Sequence, residues 1–141
     1  MTTSVQGGCL CGAIRYEVQG NAVFEAQCFC RDCQRHTGTG HASVAAYPTG
    51  AVKVTGEPKS YSCEADNGAT ATRRFCATCG STLFSNSSGN PALTLVHVGT
   101  FDDPSGFTPK VGVYEKRRSK WDHRDPQLAC FPEMPGPRRA G

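Results

Sequence analysis

Three thiols fall within six residues in the segment Cys28-Phe29-Cys30-Arg31-Asp32-Cys33. A C-x-C-x-x-C spacing can place three sulfurs around one zinc ion without supplying a fourth ligand. Structural zinc sites are usually closed by four protein ligands, whereas catalytic sites keep one position for water or substrate. The spacing of Cys28, Cys30 and Cys33 therefore indicates a zinc site with an open coordination position, at which chemistry could take place.

Two cysteine pairs flank this cluster, and each pair is followed by a glycine. Cys9-x-Cys11 and Cys76-x-x-Cys79 together supply four thiolates, which is enough for a closed tetrahedral zinc site. Such a site would close a long loop and couple folding to metal binding. A redox dithiol is the alternative for Cys76 and Cys79, but no βαβ pattern surrounds them. We therefore predict a structural zinc here.

Polar residues next to the central thiols are candidates for ligand binding. Arg31 and Arg35 could offset the negative charge of a zinc ion bound by three thiolates and hold a substrate carboxylate. The loop Thr37-Gly38-Thr39-Gly40-His41 has a permissive backbone that could present amides to an anionic or peptide-like ligand. His41 is the candidate for proton transfer because it is the histidine nearest that loop.

Each of these interpretations has a simpler alternative. The two arginines could be ordinary exposed side chains, and the glycine-rich loop could be only a turn. The central site could be a second structural site closed by Cys63, Cys130 or a histidine. Otherwise Cys63 and Cys130 are small buried apolar residues, and His97 is a core residue of an apolar strand.

The cysteine content also indicates the cellular compartment of the protein. Nine cysteines form either disulfides in a secreted protein or metal sites in a reducing compartment. Residues 1–8 have neither the basic nor the apolar region of a secretory signal, and no stretch approaches the roughly 18 apolar residues of a membrane span. We therefore predict metal binding, a cytoplasmic location and no membrane association.

The charge pattern argues against a nucleic-acid partner. The net charge is only +3, and the densest basic run, Lys116-Arg117-Arg118-Ser119-Lys120, is not accompanied by an aromatic ladder. The run is predicted to be a solvated turn.

Short strands separated by turns account for most of the chain. Ile14, Tyr16 and Val18 alternate with polar residues, which is typical of a half-buried strand. A second strand over 23–27 leads into the central thiols, one helical turn is expected over 32–36, and strand 70–75 leads into Cys76. Further strands are expected over 42–47, at Val52 and Val54, and over 60–63, 82–85, 93–98 and 111–114. The strand over 60–63 is expected to pair back on the strand with Val52 and Val54. The last of these is expected at an edge, and Trp121 is expected to pack on the sheet.

The cysteine order resembles that of one family, the glutathione-dependent formaldehyde-activating enzymes, also called the centromere-protein-V/Gfa domain. The resemblance covers roughly 7–132. Its motifs are Gly8-Cys9-Leu10-Cys11-Gly12, Cys28-Phe29-Cys30-Arg31-Asp32-Cys33 with Thr37-Gly38, Arg74-Phe75-Cys76-Ala77-Thr78-Cys79-Gly80-Ser81, Gly99-Thr100-Phe101-Asp102-Asp103-Pro104 and Trp121. Two positions depart from the family: Phe29, where His is frequent, and Gln34-Arg35, where Arg-Lys is frequent.

The resemblance implies a fold, a metal content and an activity. The fold is all-β, with Mss4-like antiparallel sheets of the β-tent type stapled by zinc and little helix. Cys9, Cys11, Cys76 and Cys79 would hold structural zinc, and Cys28, Cys30 and Cys33 a catalytic or labile zinc. The activity is that of a carbon–sulfur lyase that joins glutathione to formaldehyde, as S-(hydroxymethyl)glutathione synthase does.

Two functions follow as alternatives. The first is a zinc-dependent carbon–sulfur lyase acting on small thiol–aldehyde adducts, with a small thiol such as glutathione as partner. The second is a non-catalytic zinc-stapled β module that binds a protein or nucleic-acid partner. A fourth protein ligand on the central metal would favour the second. We predict a single domain over 1–141, with its core at 7–132 and a proline-rich tail at 133–141, and leave a homo-oligomer open.

Overall fold

The computed structural model describes residues 3–135, so most of the proline-rich tail predicted at 133–141 lies outside the described residues. Eleven strands and one α-helix occupy the described chain. The strands are β1 Ser4–Gly8, β2 Arg15–Gln19, β3 Phe24–Cys28, β4 Ala42–Pro48, β5 Val52–Thr55, β6 Lys59–Glu64, β7 Thr70–Phe75, β8 Thr82–Ser87, β9 Leu93–His97, β10 Val111–Val113 and β11 Ala129–Cys130, and the helix is α1 Arg31–Thr37. This composition confirms the predicted all-β, Mss4-like fold with little helix.

The chain divides into two compact units. The first contains Met1–Phe24 and Val44–Phe107, and the second contains Glu25–Ser43 and Thr108–Gly141. The assignment of 1–141 to a single domain stays a prediction. No helix in the described part of the chain is long and apolar enough to cross a bilayer.

The first unit contains two antiparallel arrangements of strands. β1, β2 and β5 form a three-stranded sheet in that order, and β4, β9, β8, β7 and β6 are neighbours in that order. The predicted alternation is confirmed, because Ile14, just before β2, and Tyr16 and Val18 within it are all buried. The Tyr16 ring contacts Phe84 edge to face with centroids 5.2 Å apart, and burying each such side chain contributes about 1.5–3 kcal/mol.

One predicted strand pairing in this unit is wrong. The strand expected over 60–63 does not pair back on Val52 and Val54, because β6 pairs with β7 and β5 pairs with β2. The reason is local: Ala65 and Ala69 are joined across a tight turn in which Gly68 has a φ of +84°. This turn connects β6 and β7 directly as a hairpin.

The second unit is built on β3, β10, β11 and α1. β10 is parallel to both of its neighbours, with Val111 opposite Ala26 on one side and Ala129 on the other. The prediction of an edge strand over 111–114 is therefore wrong. Gly112 permits this interior position, because a Cβ there would lie 2.8 Å from the Cys130 sulfur.

Trp121 does not pack on a sheet as predicted, because 66% of its surface is exposed. It lies in a turn that is closed by a hydrogen bond from the Asp122 amide to the Ser119 carbonyl at 3.0 Å. The exposed indole is thus carried by a turn that a main-chain hydrogen bond closes.

Candidate functional site

Four sulfurs come together at two tight turns of the first unit. Gly12 and Gly80 adopt φ of 82° and 79°, and their amides bond the carbonyls of Cys9 and Cys76 at 3.2 and 2.8 Å. This left-handed conformation favours glycine. The sulfurs gathered by these turns all lie within 4.8 Å of one another and belong to Cys9, Cys11, Cys76 and Cys79.

The spacing of these sulfurs fits a zinc ion. The Cys11 sulfur lies 3.7 Å from that of Cys9 and 3.8 Å from that of Cys76. A tetrahedron with zinc–sulfur bonds of about 2.3 Å has sulfur–sulfur edges of about 3.8 Å, whereas a disulfide bond measures about 2.05 Å. The donor set and its spacing therefore match a closed four-thiolate site.

Protein dipoles also favour thiolates at this cluster. The Ile14 amide donates to the Cys9 sulfur at 3.2 Å, and the Cys79 amide donates to the Cys76 sulfur at 3.5 Å. Hydrogen bonds from Ser81 lower the pKa of the Cys79 thiol to about 5. Although a hydrogen bond from the Ala13 backbone opposes the shift, burial and the neighbouring sulfurs raise the pKa of the Cys11 thiol to about 11, so a cation is needed for all four to be thiolates. Cys9 and Cys76 are buried, so a metal here would be bonded to residues of the core.

A second cluster of three sulfurs lies in the other unit, where β3 passes into α1. Cys28 ends β3, Cys30 is the N-cap of α1, and Cys33 lies in its first turn. Their sulfurs lie within 4.8 Å of one another, and no fourth Cys, His, Asp or Glu of residues 3–135 joins them. The cluster could hold one zinc ion and leave one coordination position to a non-protein ligand.

The chemistry of this cluster also fits a cation. The Cys33 amide donates to the Cys30 sulfur at 3.2 Å. Hydrogen bonding with Cys30 and then Cys33, together with burial, raises the pKa of the Cys28 thiol well above its usual range. Three thiolates at this spacing therefore need a positive charge between them.

Helix α1 is longer than the single turn expected over 32–36. It runs over Arg31–Thr37, and it ends where the amide of Gly38, at φ 76°, bonds the Gln34 carbonyl. The Cys30 sulfur caps the first turn by accepting from the Cys33 amide. A thiol of the three-sulfur cluster thus also serves as the N-cap, a role that is normally filled by Ser, Thr, Asp or Asn.

Gln34 is a site residue that sequence reasoning missed. Its side chain is 5% exposed, and its amide nitrogen donates to the carbonyls of Phe29 at 2.8 Å and Arg117 at 3.0 Å. Its amide oxygen accepts from Arg31. Gln34 therefore fixes the main chain between Cys28 and Cys30. Only its departure from the family pattern distinguished this position in the sequence.

The predicted ligand-binding residues occupy different settings. Arg31 is engaged by Gln34, whereas Arg35 is exposed and makes no side-chain bond to residues 3–135. The Thr37 hydroxyl is directed to the main chain, where it donates to the carbonyls of Cys33 at 2.8 Å and His41 at 3.3 Å. Gly38 and Thr39 are exposed beyond the helix end.

His41 has protein partners on both ring nitrogens. Nδ1 lies 2.9 Å from the Asp122 carboxylate, and Nε2 lies 3.2 Å from the Gln27 amide nitrogen. The Phe29 ring packs beside it with centroids 5.3 Å apart. Asp122 was not predicted, because nothing in the sequence connects it with a histidine 81 residues away. Gly40 is required at this contact, since a Cβ there would overlap the Asp122 carboxylate.

The family model for the glutathione-dependent formaldehyde-activating enzymes, abbreviated Gfa, matches residues 4–117. The chain belongs to this family. The Gfa chain is also similar to the crystal structure of a Rhodobacter sphaeroides protein, with 25% sequence identity and a TM-score of 0.56. That similarity covers 74% of the Gfa chain and 91% of the other protein. No curated protein matches the Gfa chain at a significant level.

Membership of this family fits a zinc-binding or formaldehyde-activating role for the two cysteine clusters of the Gfa chain.

The remaining cysteines have other surroundings. Cys63 accepts a hydrogen bond from Arg73 at 3.5 Å, and burial raises the pKa of Cys130. His97 is buried and bonded to the Ser85 hydroxyl at 3.2 Å, as predicted for a core histidine.

Two of the four basic side chains in the basic run of the Gfa chain have acidic partners. Lys116 pairs with Glu133, and Arg118 pairs with Glu115 at 3.1 Å. Arg117 and Lys120 are exposed. The run begins within the short helical turn at Glu115–Arg117 and agrees with the prediction of a solvated turn.

Proposed function

We propose that the chain is a zinc-dependent carbon–sulfur lyase that acts on small thiol–aldehyde adducts, in the manner of S-(hydroxymethyl)glutathione synthase. The observation that carries this proposal is the cluster of Cys28, Cys30 and Cys33, which no fourth Cys, His, Asp or Glu of residues 3–135 completes. A pure binding module would need only the four-thiolate cluster. The description of the family supplies glutathione and formaldehyde as the first substrates to test.

The two clusters have separate roles in this proposal. Cys9, Cys11, Cys76 and Cys79 hold a structural zinc, and Cys28, Cys30 and Cys33 hold a catalytic or labile one. Bound by three thiolates, zinc supplies a position at which a substrate sulfur is kept as the thiolate at neutral pH. Gln34 keeps the turn that carries the first two of these thiols in one conformation through its bond to the Phe29 carbonyl.

The bond changes define what the chain must provide. A carbon–sulfur bond forms between the thiol sulfur and the aldehyde carbon, and the π pair of the carbonyl moves to its oxygen. The proton lost by the thiol ends on that oxygen, and the reverse reaction returns it. His41 accepts and donates this proton, and the rate gain comes from holding the two reactants side by side.

The neighbouring polar groups hold the thiol substrate. Arg35 binds a carboxylate of a peptide-like thiol, because its guanidinium is exposed and engages no side chain of residues 3–135. Arg31 supports it from the same helix, and the main chain at Thr37, Gly38 and Thr39 offers amides. The partner is thus a small thiol of the glutathione type. A cytoplasmic location and the absence of nucleic-acid and membrane partners stay predictions, and a homo-oligomer stays open.

The test is the exchange rate between free glutathione and S-hydroxymethylglutathione in the presence of formaldehyde, measured by magnetisation-transfer NMR. The wild-type protein is expected to raise this rate above the buffer rate. Cys33→Ser is expected to abolish the increase, whereas Cys63→Ser, a matched change outside both clusters, is expected to keep it. Full activity in a folded Cys33→Ser protein would eliminate the proposed site. A wild-type protein inactive with several thiols and aldehydes would leave the zinc-stapled binding module as the function.

A further inference from the structure

We infer that Asp122 is a positioning residue for His41, which fixes the proton of the neutral ring on Nδ1 and leaves Nε2 as the nitrogen that exchanges a proton. Gln27 allows Nε2 to change its protonation state without losing its hydrogen bond. The inference deepens the proposed function, since it rests on the role of His41 in proton transfer. Its central measurement does not depend on turnover.

The main chain of Asp122 is fixed by contacts that do not involve the histidine. Its side chain is only 10% exposed, and its main-chain carbonyl accepts from Arg118 Nη1 at 2.7 Å. Its amide closes the turn to Ser119 at 3.0 Å, and Gly40 leaves room for the carboxylate. The acceptor is therefore set in place by its own turn, and the imidazole ring must orient to it.

This geometry determines which ring nitrogen carries the proton. A carboxylate oxygen accepts hydrogen bonds, so at 2.9 Å the Nδ1 of His41 must be the donor. In the neutral ring the second nitrogen is then an acceptor, and a hydrogen-bonded partner on one nitrogen is the usual device that sets the tautomer of a histidine. Nε2 thus becomes the basic atom.

Gln27 is suited to both protonation states of Nε2. Its amide group lies 3.2 Å from Nε2 and 3.2 Å from the Ser43 hydroxyl. With its NH₂ group toward them, it donates to neutral His41 and to Ser43. With the amide rotated, its oxygen accepts from protonated Nε2, and the Ser43 hydroxyl can donate to it instead. The ring can gain or lose a proton while each group keeps a partner.

The groups around the ring favour this exchange. Asp122 is the charged side chain that contacts the ring, and the positive charge of Arg118 lies at the Asp122 carbonyl. The Phe29 ring beside it, the Gln27 amide at Nε2 and the Thr37 hydroxyl at the His41 carbonyl are neutral. The buried carboxylate therefore balances the charge of a protonated ring. In the reaction, Nε2 takes the proton that the thiol releases and passes it to the oxygen of the adduct.

The tautomer can be measured directly on zinc-loaded protein labelled with ¹⁵N at histidine, by long-range ¹H–¹⁵N correlation from acid to mild base. In wild type, the neutral ring of His41 is expected to carry its proton on Nδ1, next to the Asp122 carboxylate. In Asp122→Asn and Asp122→Ala, the neutral ring is expected to distribute its proton over both nitrogens. Asp125→Asn, an exposed carboxylate three residues later, is the control and is expected to match wild type.

The outcomes separate this inference from the proposed function. A wild-type ring that carries its neutral proton on Nε2, or a tautomer unchanged in both Asp122 variants, would overturn the inference whether or not the protein turns over substrate. If wild type is active, Asp122→Asn is expected to lower kcat/KM by about tenfold to a hundredfold and to change its pH profile, with two zincs per chain retained. A changed tautomer with unchanged turnover would also overturn the positioning role. The wild-type spectrum decides the tautomer even if a variant fails to fold.

Discussion

The side-chain amide of Gln34 donates to the main-chain carbonyl of Phe29 at 2.8 Å, across the turn that carries the first two of the three clustered thiols. The same amide donates to the Arg117 carbonyl at 3.0 Å. One buried side chain thus joins helix α1, the thiol-bearing turn and the segment that leads to Trp121 and Asp122. The geometry of the three-sulfur cluster depends on a residue that is not itself a ligand.

Replacing Gln34 by Leu should weaken the second zinc site selectively. The change leaves two carbonyls without their donor, which costs about 1–3 kcal/mol for each buried group left unpaired. We expect metal analysis of Gln34→Leu to show loss of one zinc during dialysis that the wild-type protein withstands. Gln127→Leu is the matched control at an exposed position. A Gln34→Leu protein that retains two zincs as tightly as wild type would contradict the role of this amide.

Replacing Cys76 by Ser should remove the structural zinc and lower stability together. Cys76 is both a candidate ligand and a fully buried member of the core, and loss of a structural metal is one of the few single changes that cost about 4 kcal/mol or more. Urea unfolding and zinc content should both change in Cys76→Ser, whereas both should remain near wild type in Cys63→Ser. A soluble Cys76→Ser chain with its full zinc content would be incompatible with the four-thiolate site.

Dialysis of fresh protein against reduced glutathione should lower its zinc content from two per chain to one. Small thiols can reach and compete at a site with three protein thiolates, whereas four protein thiolates leave no position for them. Dialysis against an equal concentration of S-methylglutathione, which has no free thiol, is expected to leave both zincs in place. Retention of both zincs in glutathione would favour the binding module over the enzyme.

Alkaline pH should destabilise the fold through Tyr16. Burial raises the pKa of this phenol to about 12, although its bond to Thr100 opposes the shift. The unfolded chain, in which tyrosine has a pKa of about 10, loses the proton first. The stabilisation is therefore complete below pH 10 and is lost as the pH rises through 12, by about 3 kcal/mol.

Urea unfolding at a series of pH values, in wild type and in Tyr16→Phe, measures this effect. The free energy of unfolding of Tyr16→Phe is expected not to decline between pH 10 and 12. Below pH 10 it is expected to be lower than that of wild type, because the variant lacks the hydrogen bond to Thr100, which measures 2.7 Å between the oxygens. If the free energy of unfolding fell equally steeply with pH in the two proteins, groups other than Tyr16 would control alkaline unfolding.

Local spacing explains why the two sulfur clusters were predictable. In Cys9-x-Cys11 and Cys76-x-x-Cys79, a tight turn alone brings both sulfurs to one side, so residue type and spacing nearly determine the geometry. Strands such as β2 were predictable for the same reason, since alternation along a few residues decides which side chains are buried.

The missed residues act over long sequence separations. The partner of His41 is Asp122, and the partner of Gln34 is the Arg117 carbonyl. Both contacts arise because a late segment returns to helix α1, which no short-range pattern encodes. The interior place of β10 was missed for the same reason: three residues cannot indicate whether a strand has one neighbour or two.

The placement of Trp121 makes the protein its own optical reporter. It is the single tryptophan in the chain, its indole is largely in water, and the next residue, Asp122, contacts His41. Its intrinsic fluorescence therefore arises from one known position, without contributions from other indoles. A ligand that covers this turn should shift the emission to shorter wavelengths, so its binding can be followed without any added label.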